Sequence, residues 1–197
     1  MAATTKTAKR SGSNSKAKGN EKGALETLVD KAASAVAGIM PSSRQDALDL
    51  LKEDHERVQA LFDEVKSSDE KRHPALFERI KTELDVHAHI EEVIFYPNLK
   101  AQGDKELVDI VLEGIEEHRQ AKMFLKEIDA LTKDSPKFEA KLKVLIEDVE
   151  HHVSEEEDTM FPLVKDQFSS EALEDLATEM EKEKRKFKKS LTAAAGK

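Results

Sequence analysis

The chain has 197 residues, 37% of them charged and 38% hydrophobic, with eight Phe, one Tyr, no Trp and no Cys. That length allows one domain with a real core, and the scarcity of aromatic and β-branched runs argues against a β-sandwich. The missing cysteines exclude disulfides, iron–sulfur clusters, zinc ribbons and thiol catalysis.

The formal net charge of -9 is unevenly placed. Residues 1–23 carry six bases against the single acid Glu21, a net +5, so residues 24–197 hold -14. An acidic body repels phosphate, which leaves any nucleic-acid contact to the basic N-terminal tail. Residues 1–42 read as that tail: low-complexity and disordered over 1–23, then weakly amphipathic over 24–40, where a short docking helix would stop at Pro41. Its lysines lack interleaved aromatics on which bases could stack. No window of 18 apolar residues occurs, so no membrane span is expected, and the protein is read as cytoplasmic.

Residues 43–197 are read as the folded domain. Helices are predicted over 43–66, 74–98, 104–131 and 136–164, with a more polar one over 170–191. Ser67-Ser68-Asp69 and Gly103-Asp104 supply turn and N-cap chemistry, and Ser135 precedes a first-turn proline. Short links between long helices make neighbours antiparallel. The fold class is therefore all-α: an up-down-up-down four-helix bundle with an extra C-terminal helix and a basic N-terminal tail.

Each of the four long helices carries an apolar stripe at spacing three or four, the period of one face. The stripes run Leu51, His55, Val58, Phe62; then Phe77, Ile80, Leu84, His87, Glu91, Ile94; then Leu107, Val111, Gly114, His118, Ala121, Leu125, Ile128; and Phe138, Leu142, Leu145, Val149, His152, Glu156, Met160. Every stripe turns polar at its middle. A His and a Glu four apart lie one turn apart on the same face, so both point inward. An unpartnered polar group in a core costs roughly 1–3 kcal/mol, and a charge costs more. Four imidazoles and two carboxylates in one layer therefore need a common compensation. Metal ions supply it, and Fe, Zn and Mn all accept this donor set. The competing reading is carboxylates paired with protonated histidines.

The polar positions also repeat. His87-x3-Glu91-Glu92-x4-Pro97 realigns with His152-x3-Glu156-Glu157-x4-Pro162 at an offset of 65, and Asp54-His55 realigns with Glu117-His118 at 63. The chain is thus two copies of a helix pair. Each copy offers a His from its first helix and a His plus a Glu from its second, a pseudo-symmetric arrangement for two metals with Glu91 and Glu156 as bridges.

On these residues the chain resembles the hemerythrin-like HHE cation-binding family. The resemblance rests on Asp54-His55-Glu56, His87-x3-Glu91-Glu92 with Phe95-Tyr96-Pro97, Glu117-His118, and His151-His152-x2-Glu155-Glu156 with Met160-Phe161-Pro162. It implies a four-helix bundle around a non-haem di-iron centre, with two Fe ions (Zn or Mn being alternatives) held by His55, His87, Glu91, His118, His152 and Glu156. It also implies a role in binding or sensing O2 or another small diatomic or oxidant, or in iron handling and responses to oxidants and nitric oxide. One position departs from the oxygen-carrying hemerythrins. They have a second His four residues after the third-helix His, where this chain has Lys122. Simple reversible O2 carriage is therefore set against a metal-handling or stress role. With no phosphate loop and no activated nucleophile in the sequence, binding is expected ahead of enzymatic turnover.

Flanking residues are read as lying outside the ligand set. His89 is about 200° around the helix from His87, and His151 is about 100° from His152, where it could stand behind the ligands. His73 falls in a turn before Pro74. Glu92, Glu155 and Glu157 are read as solvated charges, and Tyr96 as a cap of the bundle. Gly114 marks either a cavity on the metal face or close helix packing.

Overall fold

The computed structural model describes residues 45–195, and the tail and short helix expected within residues 1–42 lie outside the described residues. Helix α1 spans Ala47–Ser67, and a single 3-10 turn, Glu70–Arg72, leads into α2. Helix α2 comprises His73–Ile90, a wide π turn at Glu91–Phe95, and Tyr96–Gln102. Helix α3 is Lys105–Asp129. Helix α4 repeats the design of α2, with Pro136–Glu155, a π turn at Glu156–Met160, and Phe161–Gln167. Helix α5, Ser170–Ala195, lies along α1 and α2. No strand occurs among the described residues.

The helix starts reflect local chemistry. Asp46 accepts from the Asp49 amide at 2.9 Å while Asp49 accepts back from the Asp46 amide at 3.3 Å. This capping box starts α1 at Ala47 rather than at the expected residue 43. Asp104 caps α3 through the Leu107 amide at 2.9 Å, and Ser135 caps α4 ahead of Pro136. Helices α2 and α4 run on past their expected ends, 98 and 164, to Gln102 and Gln167.

Both helices carry a π turn, and that of α2 corrects the expected stripe, whereas Met160 of α4 is buried as expected. In them the Tyr96 amide reaches back to Glu91 O and the Phe161 amide to Glu156 O, five residues rather than four. Each wide turn ends one residue before a proline, Pro97 or Pro162, which has no N–H to continue the ladder. One extra residue in the turn rotates the C-terminal remainder of the helix. Phe95 and Tyr96 are fully buried, and Ile94, the expected core residue, is only partly so.

The buried side chains form two apolar clusters. One gathers Leu48, Leu51, Ile90, Phe95, Tyr96, Leu99, Val111, Phe161 and Val164, with Leu173, Leu176 and Met180 of α5 packed on it. The other gathers Val58, Phe62, Phe77, Ile80, Leu84, Leu125, Phe138, Leu142 and Leu145. Helices α1 and α3 run from the first cluster to the second, and α2 and α4 run back, the up-down-up-down order expected. Between the clusters lies the polar layer. In the second cluster Phe77 and Phe138 meet edge-on, with ring centroids 5.7 Å apart and neither ring exposed. Replacing Phe138 by Ala should cost about 3–5 kcal/mol of stability, seen as a lower urea midpoint, while metal uptake persists because the cavity opens away from the polar layer.

Candidate metal centre

The i to i+4 spacing stacks His87 over Glu91 on α2 and His152 over Glu156 on α4, while α1 and α3 bring His55 and His118 to the same level. None of the six is more than 6% exposed. His55 Nε2 lies 3.3 Å from His87 Nε2, and His118 Nε2 lies 3.1 Å from His152 Nε2, so each half of the repeat presents a facing pair. The carboxylates cross between halves. Glu91 Oε2 is 3.0 Å from His87 Nε2 and 3.2 Å from His118 Nε2. Glu156 Oε2 is 3.2 Å from His55 Nε2 and 3.7 Å from His152 Nε2. All six predicted residues are thereby gathered into one layer.

Behind the imidazoles stands a ring of carboxylates that the sequence pattern alone misassigned or missed. His55 Nδ1 donates to Glu157 at 2.8 Å, His118 Nδ1 to Glu92 at 3.2 Å, and His152 Nδ1 to Glu117 at 2.7 Å. Asp54 faces His87 Nδ1 from 3.8 Å. Glu92 and Glu157 are therefore half-buried partners of histidines and not the solvated charges expected. The signal for all four was in the repeat: Asp54 and Glu117 precede the first-helix histidines, and Glu92 and Glu157 come directly after Glu91 and Glu156.

This ring decides what the layer can bind. A carboxylate only accepts, so a neutral imidazole bonded to it through Nδ1 carries its proton there and turns a bare lone pair inward at Nε2. Bare nitrogens then face one another and two carboxylates. Oε2 of Glu91 and Oε2 of Glu156 lie within 3.2 Å of ring nitrogens, yet neither of them, nor Oε1 of Glu91, has a well-aligned hydrogen-bond partner. Such a set of acceptors fits metal cations. Protons are the competing cations. Burial pushes the His118 imidazolium down, but the close carboxylates of Glu91 and Glu92 more than offset it and raise its pKa to about 9. Burial likewise opposes ionised Glu91, yet the charges of His87 and His118 beside it hold its carboxyl well below the usual range.

Tyr96 does not cap the bundle. It is fully buried, stacks on His118 at 5.4 Å between centroids, and its hydroxyl donates to Glu156 Oε1 at 2.7 Å. Burial and the nearby Glu156 charge push the phenol well above its ordinary value, so it keeps its proton. Gly114 makes room for it, since a Cβ there would lie 3.0 Å from the Tyr96 hydroxyl. Of the two readings for this glycine, the structure bears out close packing. The other histidines stay out of the layer. His73 lies between two acceptors, Glu139 at 2.6 Å from Nδ1 and Val65 O at 3.1 Å from Nε2, His89 stacks on Phe187, and His151 is exposed beside Glu155. A cavity of about 820 Å³ opens beside the layer, lined by the four layer histidines, by apolar side chains including Val58, Leu84 and Val149, and by charged ones including Glu117, Lys122 and Asp148.

A family model described as the hemerythrin HHE cation binding domain matches residues 46–164. A protein of Nostoc sp. named DNA nickase is 31% identical over 160 residues, which is 78% of this chain but 44% of that protein. This chain thus spans under half the length of that relative. The uncharacterized protein Rv2633c of Mycobacterium tuberculosis is 31% identical over 120 residues, 59% of this chain and 71% of its own. The crystal structure of a hemerythrin HHE cation-binding domain-containing protein from Mycobacterium kansasii, a homolog of Rv2633c, matches with a TM-score of 0.63 at 28% identity. It covers 74% of this chain and 88% of its own.

The second ring makes the fold acid-sensitive. The His118 hydrogen bond, against burial and aided by Lys122, holds the Glu92 carboxyl at about 2, below its ordinary value of 4.5. A carboxyl depressed in the folded state stabilises it above the unfolded value, and that contribution is lost as pH falls through the folded one. In chelator-stripped protein, urea midpoints should therefore drop between about pH 4.5 and 2, and Glu92→Gln should flatten that part of the curve.

Proposed function

This chain belongs to the hemerythrin HHE cation-binding domain family, and from that premise we propose that it is a non-haem di-iron protein that binds or senses O2 or a related small oxidant. The observation that carries the reading is the duplicated donor set. His55 and His87 would hold one ion, His118 and His152 the other, with Glu91 and Glu156 shared between them. Bound iron supplies a change of oxidation state and positions for a small ligand. The protein's own part is arrangement. The carboxylates on Nδ1 fix the imidazole tautomers and orientations. Tyr96 keeps a hydroxyl donor on Glu156 inside the layer, and the cavity beside it gives small molecules a route to the histidines.

A second reading, metal handling or an oxidative or nitrosative stress role without reversible O2 carriage, is favoured by Lys122. Its ammonium turns away from the layer onto both oxygens of Glu92 at 2.6 Å. It thus supplies no donor where the oxygen-carrying hemerythrins have a histidine. The activity in the Nostoc relative's name belongs to a protein of which this chain matches 44%, and residues 24–197 carry a net -14 that repels phosphate, leaving any nucleic-acid contact to the basic tail.

Metal analysis and visible absorption on protein purified without added metal test the choice. Two irons per chain, with a visible band in air that bleaches on reduction, are expected. Readily exchanged Fe, Zn or Mn without such a band supports the second reading, and a metal-free, colourless protein overturns both. Chelation should also lower the melting temperature sharply, because it strands buried acceptors without a cation. His118→Ala should leave at most one ion per chain.

A further inference from the structure

The two halves of the repeat are alike in the layer but differ behind it. In the second half, Glu117 sits at 2.7 Å from His152 Nδ1. In the first, the equivalent Asp54 stands 3.8 Å from His87 Nδ1, and that nitrogen has no hydrogen-bond partner. Asp54 is itself engaged. Lys184 of α5 bonds both of its oxygens, one at 2.6 Å, and Arg57 pairs with it as well. Asp54 is 3% exposed and the Lys184 side chain 14%, so solvent screens this pairing little.

The second half has neither cation. Arg57 realigns with Gln120, which bonds Asp148 at 2.8 Å instead. Helix α5 lies along α1 and α2, and Lys184 lies outside residues 46–164, the span of the family match. A carboxylate that raises the basicity of a ligating imidazole does so by accepting its other N–H. A carboxylate held by two cations does this poorly.

We propose that Lys184 of the fifth helix is a positioning residue that holds Asp54 off His87, making the ion carried by the first half of the repeat the more exchangeable of the two. The inference rests on the two-metal reading of the layer. Asp54 is the intermediary, Arg57 assists, and α5 thereby gives an otherwise duplicated centre two unequal positions.

The test is metal release from the full-length chain, loaded with ferrous ions under anaerobic conditions and mixed with a chromophoric ferrous chelator. Metal content is measured first. Failure to hold two ions defeats the two-metal reading itself, whereas two ions that leave alike defeat only this inference. The wild-type protein should release its ions in two phases of equal amplitude. Lys184→Met should slow the fast phase about 10-fold, the scale of a change behind a metal ligand, and leave the slow phase in place. Lys184→Arg should restore both wild-type phases. Glu117→Gln should instead speed the slow phase about 10-fold. Lys188→Met, on the same helix and paired with Glu83 at 3.5 Å, should change neither phase. A single wild-type phase overturns the proposal. So does a Lys184→Met variant that leaves both phases unchanged or moves them together, as loosening of α5 alone would.

Discussion

Four ring nitrogens and two carboxylates converge in a layer from which water is largely removed, and their mutual repulsion is the constraint that organises this bundle. Acceptors in a core need donors or cations, and the arrangement offers few donors inside the layer. The carboxylates behind the histidines sharpen the problem, because each Nδ1 proton they accept is one that Nε2 cannot use. What would be a cost in an ordinary core becomes, with a cation present, a rigid ligand set whose parts are already aimed.

The backbone serves the same end. Helices α2 and α4 each deliver a His and a Glu inward and then a large aromatic or a Met–Phe pair to close the layer. A regular helix would carry the residue five after each of these glutamates, Tyr96 or Phe161, off that face. The wide turn that begins at Glu91 or Glu156 supplies the extra rotation, and the proline after it tolerates the interrupted ladder. Tyr96 reaches the layer only by this rotation, and its hydroxyl fits only because position 114 has no side chain.

Duplication accounts for the symmetry of the layer, and α5 breaks that symmetry. The fifth helix covers the first hairpin and brings a buried cation, Lys184, to Asp54. A duplicated site with one modified flank can hold two ions in different surroundings, a difference that the ligands alone would not create. Lys122 makes another distinction, set against the oxygen-carrying hemerythrins: it turns outward to Glu92 and leaves the layer to the six side chains and whatever enters through the cavity.

The helices, their antiparallel order and the six inward polar residues were legible in the linear chain, because the three-to-four spacing and the offsets of 63 and 65 are properties of one helix face and one duplication. The partners of those residues were not. Whether Glu92 meets water or His118, whether Tyr96 caps or enters the layer, and whether Ile94 or Phe95 fills the core depend on helix rotation. One wide turn alters that rotation by about a residue, and periodicity cannot register it. The Lys184–Asp54 pair spans 130 positions. Only the docking of α5 against α1 brings its charges together, since a long-range ion pair leaves no period in the sequence.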